Sequence, residues 1–227
     1  MITVFLDLDG TIINTAERHY RVYQRILESN QSGDPLPKKE FWEKKRRGLK
    51  TNELLPGATS LRQKRDFNSE WRALIEKKEF LKLDTLVGSA RRCLQSLDGE
   101  ADIVYVTLRA KPRNLFWEIR RLDVARYAKH VLIAPPESKS KTKMIKRYSS
   151  HMSEGMSYVI VGDSEIDVVT GKEMGIPVIA VSHGLRSEIY LKRWIPDRLV
   201  RGLTEIPSLV TSLSRPVRPS RASQGTP

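Results

Sequence analysis

Five short apolar runs decide most of what this chain can fold into. They lie at residues 2–6, 103–106, 131–134, 158–161 and 177–181. Each is rich in Val and Ile, shows little polar alternation and is bounded by Asp, Gly or Pro, as strands covered on both faces are. From the second run onward, amphipathic stretches separate them. In 114–122, Leu115, Ile119 and Leu122 share one helical face, with Pro112 just ahead. Residues 141–148 and 166–174 read as shorter helices. Strands alternating with helices predict an α/β fold, a Rossmann-like three-layer parallel sheet with right-handed crossovers.

The interval between the first two strands is far longer than one crossover needs, at about 95 residues. Segments 17–29, 39–47 and 69–83 read as helices there. The chain must return to finish the sheet, which favours a helical insertion at 14–86 over a separate helical domain. The α/β core is then 1–13 plus 87–213. The last segment, 214–227, has three Pro, three Arg and almost no apolar residue, and it reads as a disordered basic tail.

Composition narrows the setting. At 39% hydrophobic and 30% charged, the chain is not wholly disordered. A lone Cys93, expected buried in a helix, excludes an internal disulfide and a zinc site built on several Cys. No run approaches the roughly 20 apolar residues of a membrane helix, and the N-terminus lacks a secretory pattern. These features suggest a soluble cytoplasmic protein. The net charge of +13 is spread along the chain and is densest at Lys44-Lys45-Arg46-Arg47. It suits nucleic acid, an anionic surface or an acidic small substrate.

The chemistry gathers at strand ends. The first strand runs into Asp7-Leu8-Asp9-Gly10-Thr11, where two carboxylates point the same way if the extended chain persists and Gly10 allows a sharp turn. In open α/β sheets ligands bind beyond the carboxyl ends of strands. The fourth strand runs into Gly162-Asp163-Ser164-Glu165-Ile166-Asp167. If these ends are neighbours, Asp7, Asp9, Asp163 and Asp167 meet in one crevice and repel unless a hard cation such as Mg²⁺ binds there. The second strand ends in Thr107-Leu108-Arg109, a hydroxyl and backbone N–H groups suited to an anionic oxygen. Lys139, Lys141 and Lys143 precede the fourth strand, and one of them is placed to neutralise an Asp and a phosphate. Arg47 lies in a basic turn able to meet an anion. Trp42 and Trp71 read as core of the insertion, and the four His form no metal-spaced pair.

In this order the pieces resemble the haloacid dehalogenase-like hydrolase superfamily, and most closely its phosphoglycolate phosphatase-like branch with a helical cap. Asp7–Thr11 match its first motif in full, Thr107 its second, a Lys its third, and Asp163 with Asp167 its fourth. The resemblance implies a phosphatase in which Asp7 is the nucleophile, forming an aspartyl-phosphate. Asp9 is the general acid and then the base. Asp7, the Asp9 carbonyl and Asp163 hold Mg²⁺, with Asp167 binding it directly or from behind. It also implies that Thr107 and the Leu108–Arg109 backbone bind the phosphoryl group. Lys141 fits the third motif best, then Lys139, then Lys143. The second Asp points away from dehalogenation, since a halide needs no proton. A phosphomutase, a nucleic-acid-binding protein on a retired hydrolase fold, and a phosphatase for polynucleotide ends are the alternatives.

Overall fold

The computed structural model describes residues 2–57, 59–150 and 156–213, so the expected tail at 214–227 lies outside the described residues. The described residues form two sheets. Strands β1 (Ile2–Leu6), β4 (Ala101–Leu108), β5 (His130–Ala134), β6 (Ser157–Gly162), β7 (Val178–Val181) and β8 (Arg198–Val200) form the larger. Its order is β5-β4-β1-β6-β7-β8, and every neighbouring pair is parallel. The smaller is an antiparallel pair, β2 (Ile13–Asn14) with β3 (Thr85–Leu86).

Burial on both faces explains the unbroken apolar runs of β1, β4, β6 and β7, whereas the edge strand β5 is only half-buried. Val4 and Leu6 of β1 point to one side, where Leu94, Leu97, Leu115, Ile119 and Val210 cover them. These come from α5 (Ala90–Leu97), α6 (Pro112–Arg121) and α10 (Ile206–Leu213). Phe5 points to the other side, with Ile145 and Val168 from α7 (Thr142–Ser149) and α8 (Glu165–Met174). Cys93 is buried in α5, and burial pushes its thiol up to about 12.

Between β2 and β3 run α1 (Ala16–Ser29), α2 (Lys38–Arg46), α3 (Leu61–Leu74) and α4 (Lys78–Leu81). They build their own core: Val22, Tyr23, Ile26 and Leu27 of α1 meet Phe41, Leu54 and Phe67. Tyr23 stacks on Phe41 at 4.7 Å and donates its hydroxyl to the Leu54 carbonyl at 2.7 Å. The β2–β3 pair fastens the entry and exit of this segment to each other. Further contacts hold it over the sheet. Ser187 N–H donates to the Arg46 carbonyl at 2.9 Å. Gly48, at φ +102°, lies where any Cβ would strike the Tyr190 ring.

One helix differs from the sequence reading, and several short elements lie outside it. The helix expected at 69–83 is instead α3, opened by the Ser60–Gln63 capping box, followed by the separate turn of α4. The break falls at Ile75–Lys77 because Glu76 is drawn to the N–H groups of Ala110 and Lys111, both at 2.8 Å. Strand β8 was missed because three residues are too few to show a pattern. The short helix α9 (Glu188–Lys192) and α10 were missed as well.

Gly171 in α8 tests the packing against β7. A Cβ there would fall 2.0 Å from Val178 Cγ2 and 2.8 Å from the Ile176 carbonyl oxygen. In an open helix Gly→Ala gains roughly 0.5–1 kcal/mol. Here Gly171→Ala is expected to cost about 1–3 kcal/mol through overpacking, read as a lower urea midpoint with an unchanged slope.

Candidate active site

The site lies where β1, β4 and β6 end side by side. Asp7 is the first residue past β1, and its N–H continues the ladder to the Val161 carbonyl at 2.9 Å. The chain then folds back on itself: the N–H groups of Thr11, Ile12 and Ile13 all reach the Leu8 carbonyl. Gly10 sits at φ +82° in this turn, and a Cβ on it would overlap the Asp163 carboxylate. Asp163 is buried, 1% exposed, and accepts hydrogen bonds from Thr11 Oγ1 at 3.3 Å and from the Leu185 N–H.

Lys141 ties this group together. Its Nζ donates to Asp7 Oδ1 at 2.6 Å and to Asp167 Oδ1 at 2.7 Å, and it is buried. The other Asp167 oxygen accepts from Ser164 N at 3.1 Å and Ser164 Oγ at 2.7 Å, a capping box at the start of α8. Asp7, Asp163 and Asp167 each place an oxygen within 4.8 Å of the others. Three buried carboxylates thus face one ammonium. Burial pushes Asp7 up to about 7 even with Lys141 pulling it down. Burial, then the Asp7 and Asp167 charges, raise Asp163 well above the carboxylate range. The carboxylates hold Lys141 above the usual lysine range despite its burial. An all-oxygen donor set with unmatched negative charge fits a hard divalent cation such as Mg²⁺.

The Asp9 carboxylate does not join this cluster, which corrects the expectation of four carboxylates in one crevice. The chain folds back onto the Leu8 carbonyl straight after Asp7, and the two Asp side chains meet different partners. Asp9 turns instead to two guanidiniums: Arg18 Nη2 at 2.9 Å, from α1, and Arg109 Nη2 at 2.6 Å. Arg109 also donates to Glu118 at 2.8 Å. Arg18 Nε lies 3.1 Å from Asp84 Oδ2 without the alignment of a hydrogen bond. Burial pushes Asp9 up, but Arg109 and Arg18 override it and hold Asp9 well below the usual carboxylate range. Burial raises Asp84 to about 9 against the Arg18 charge, with the Glu118 and Asp9 charges adding. Two guanidiniums thus face the carboxyl groups of Asp9, Asp84 and Glu118, and Asp84 is the one whose burial favours keeping a proton.

The other candidates separate clearly. Thr107 is buried at the end of β4, and Leu108 is half-buried. The Arg109 side chain is committed to Asp9 and Glu118 and is 3% exposed. Lys139 is exposed, at φ +50°, and Lys143 is exposed as well. Arg47 is exposed beside Arg46, Tyr190 and Arg193 in a cleft between α2 and α9. Sequence reading missed Arg18, Asp84 and Glu118. No local spacing marks them, since they come from α1, the α4–β3 turn and α6. Trp42 and Trp71 are half-buried against the helical core, as expected, and both contact His19.

A family model for haloacid dehalogenase-like hydrolases matches residues 4–181. Solved structures share the fold at low identity. One is a haloacid dehalogenase-like family hydrolase from Streptococcus pneumoniae, with 17% identity, TM-score 0.76, and 91% of this chain and 97% of that one covered. Another is a predicted phosphatase from Clostridium acetobutylicum, with 19% identity, TM-score 0.67, and coverage of 93% and 98%. A third is a predicted phosphoglycolate phosphatase from Haemophilus somnus, with 15% identity, TM-score 0.70, and coverage of 91% and 96%. No curated protein matches the chain. Among the described residues, no helix is long and apolar enough to cross a membrane.

The Asp84 proton gives a pH test. The group titrates near 3.9 when unfolded and at about 9 in the fold. The folded state therefore holds the extra proton, and the stability this supplies, complete below about pH 4, is lost as pH rises toward 9. Asp84→Asn keeps a neutral side chain there. Urea unfolding at pH 6 and pH 9.5 is expected to show a smaller loss in the variant than in the wild type; equal losses would mean that Asp84 is already ionised at pH 6.

Proposed function

The chain belongs to the haloacid dehalogenase-like hydrolase family, and on that footing we propose that it is a Mg²⁺-dependent phosphatase acting on phosphate monoesters through an aspartyl-phosphate. The observation that carries this reading is Lys141, buried between Asp7 and Asp167 with Asp163 alongside. That arrangement leaves Asp7 as a strand-end carboxylate held in one direction and its surroundings short of positive charge. A dianionic phosphoryl group with a divalent cation would supply what is missing. Asp7, Asp163 and the Asp9 backbone carbonyl would hold the ion, with Asp167 direct or behind, and bound Mg²⁺ would offset charge on the phosphoryl oxygens.

Asp7 attacks phosphorus, and the bond to the leaving alcohol breaks as the bond to the carboxylate oxygen forms. The proton the alcohol needs comes from Asp9. A water then loses a proton to Asp9 and attacks phosphorus, releasing phosphate and restoring the Asp7 carboxylate. Asp9 as clamped by Arg18 and Arg109 is ionised and set for this second half. The first half requires Asp9 to give up an arginine contact and take up a proton from solvent, which it then passes to the alcohol oxygen. Lys141 keeps Asp7 directed and balances the phosphoryl charge, and Thr107 with the Leu108 and Arg109 backbone receives phosphoryl oxygens. We assign residues 1–13 and 87–213 to the catalytic core and 14–86 to a cap that excludes water from it. Small phosphorylated substrates suit this reading, and nucleic acid is not required by it.

With a generic aryl phosphate and Mg²⁺, Asp7→Asn is expected to lower kcat by at least about a thousandfold. EDTA should abolish turnover, and excess Mg²⁺ should restore it. Full activity in Asp7→Asn would overturn the mechanism; activity indifferent to EDTA would overturn the metal.

A further inference from the structure

Lysine is almost never fully buried unless it is paired. Four cations are buried among the described residues: Arg18, Lys45, Arg109 and Lys141. Arg18, Arg109 and Lys141 each meet carboxylates. Lys45 meets none among the described residues. It is 7% exposed and sits one turn after Phe41 on the buried face of α2. Its Nζ donates to Thr51 Oγ1 at 2.7 Å and lies 5.3 Å from the centre of the Trp71 ring. Its neighbour Lys44 pairs with Glu40 at 2.8 Å, so carboxylate partners are within reach of this helix.

Lys45 stands where the helical segment meets both arms of the site. Its carbonyl accepts from Arg186 Nη1 at 2.9 Å, and Arg186 grips Glu165 at 2.7 and 2.8 Å. Glu165 opens the helix that carries Asp167, and Leu185, next to Arg186, donates its N–H to Asp163. On the other side, the Trp71 ring that Lys45 covers also meets the edge of His19 at 5.4 Å. His19 follows Arg18, which holds Asp9. His19 Nδ1 is buried with no hydrogen-bond partner. Burial, then the Lys45 and Arg18 charges, keep its imidazole neutral. One unpaired ammonium and one unused imidazole nitrogen thus flank Trp71, between Asp9 and the Asp163–Asp167 arm.

Burial without a counter-charge brings Lys45 down to about 7, a state that a bound anion relieves. We infer that Lys45 is the receptor for a second anionic group on the substrate, so that the alcohol released by hydrolysis carries a carboxylate or a further phosphate. This rests on the phosphatase reading and deepens it. The site at Asp7 takes the transferred phosphoryl group, and Lys45 on the cap reads the charge of what departs. A neutral alcohol of the same size leaves the ammonium buried and unmatched, which is how one such cation discriminates between substrates.

The test compares matched phosphate esters with Mg²⁺: 2-phosphoglycolate against 2-hydroxyethyl phosphate, 3-phosphoglycerate against glycerol 1-phosphate, and a nucleoside 3′,5′-bisphosphate against the 5′-monophosphate. The first two pairs probe a carboxylate, the third a second phosphate. In at least one pair the anionic member is expected to have roughly tenfold or higher kcat/KM. Lys45→Met should erase that ratio, chiefly through KM, while Lys45→Arg keeps part of it and Lys45→Glu reverses it. Lys45→Met should also unfold at an equal or higher temperature, since it removes an unpaired buried charge, so loss of the ratio would not come from loss of the fold. Turnover with no preference for the anionic member in any pair overturns the inference and leaves the phosphatase reading standing, as does a preference that survives Lys45→Met. No turnover of these esters or of an aryl phosphate overturns both.

Discussion

One ammonium group organises the catalytic end of this protein. Lys141 reaches Asp7 on the β1 side and Asp167 on α8 at ordinary charge-assisted distances. Without it, three buried carboxylates would face one another across less than 5 Å. The surrounding chain is shaped to permit the contact. Gly10 and Gly184 leave room for the Asp163 carboxylate, and Gly162 leaves room for Asp167. At each of these glycines a Cβ would lie within about 2 Å of a carboxylate oxygen, carboxyl carbon or carbonyl oxygen. The sheet order matters for the same reason: only with β6 beside β1 do the two acidic strand ends meet.

The site is divided into two compartments with different charge accounts. The Asp7–Asp163–Asp167 group has one cation for three carboxylates, and Asp7 and Asp163 are pushed toward their neutral forms. The Asp9 group has two guanidiniums for three carboxyls, and burial favours a proton on Asp84. The first compartment is therefore the more receptive to a cation, although Asp9, Asp84 and Glu118 also place oxygens within 4.8 Å of one another. This is the physical reason why two aspartates two residues apart suit different tasks. Asp7 has a free energy to gain from a metal and a phosphoryl group. Asp9 is already satisfied, and it is tied through Arg18 to the helical segment above it.

Much of this was legible in the chain. The five apolar runs correspond to β1, β4, β5, β6 and β7; four of these are buried on both faces and so have no polar alternation to confuse them, and the edge strand β5 is apolar though only half-buried. Asp7, Asp163 and Asp167 were legible because each sits at a fixed offset from a strand end. Lysine spacing left Lys139, Lys141 and Lys143 open. Backbone geometry separates them, since Lys139 is in the left-handed turn before α7 and points to solvent, whereas Lys141 is buried at the start of α7. The Asp9 network was not legible. Arg18, Asp84, Arg109 and Glu118 come together from four elements, and pairing at such separations leaves no periodic trace.

The net charge of +13 takes on a different meaning once the buried cations are removed from it. Arg18, Arg109 and Lys141 are neutralised within the protein and contribute nothing to the outside field beyond what their partners cancel. What remains positive is on the surface and in the cleft near Arg46, Arg47 and Arg193, close to where the helical segment meets the core. A field of that sign draws anions toward the face where the helical segment meets the core. Lys45, next to Arg46 in sequence, is the buried member of that basic run and has no carboxylate partner among the described residues.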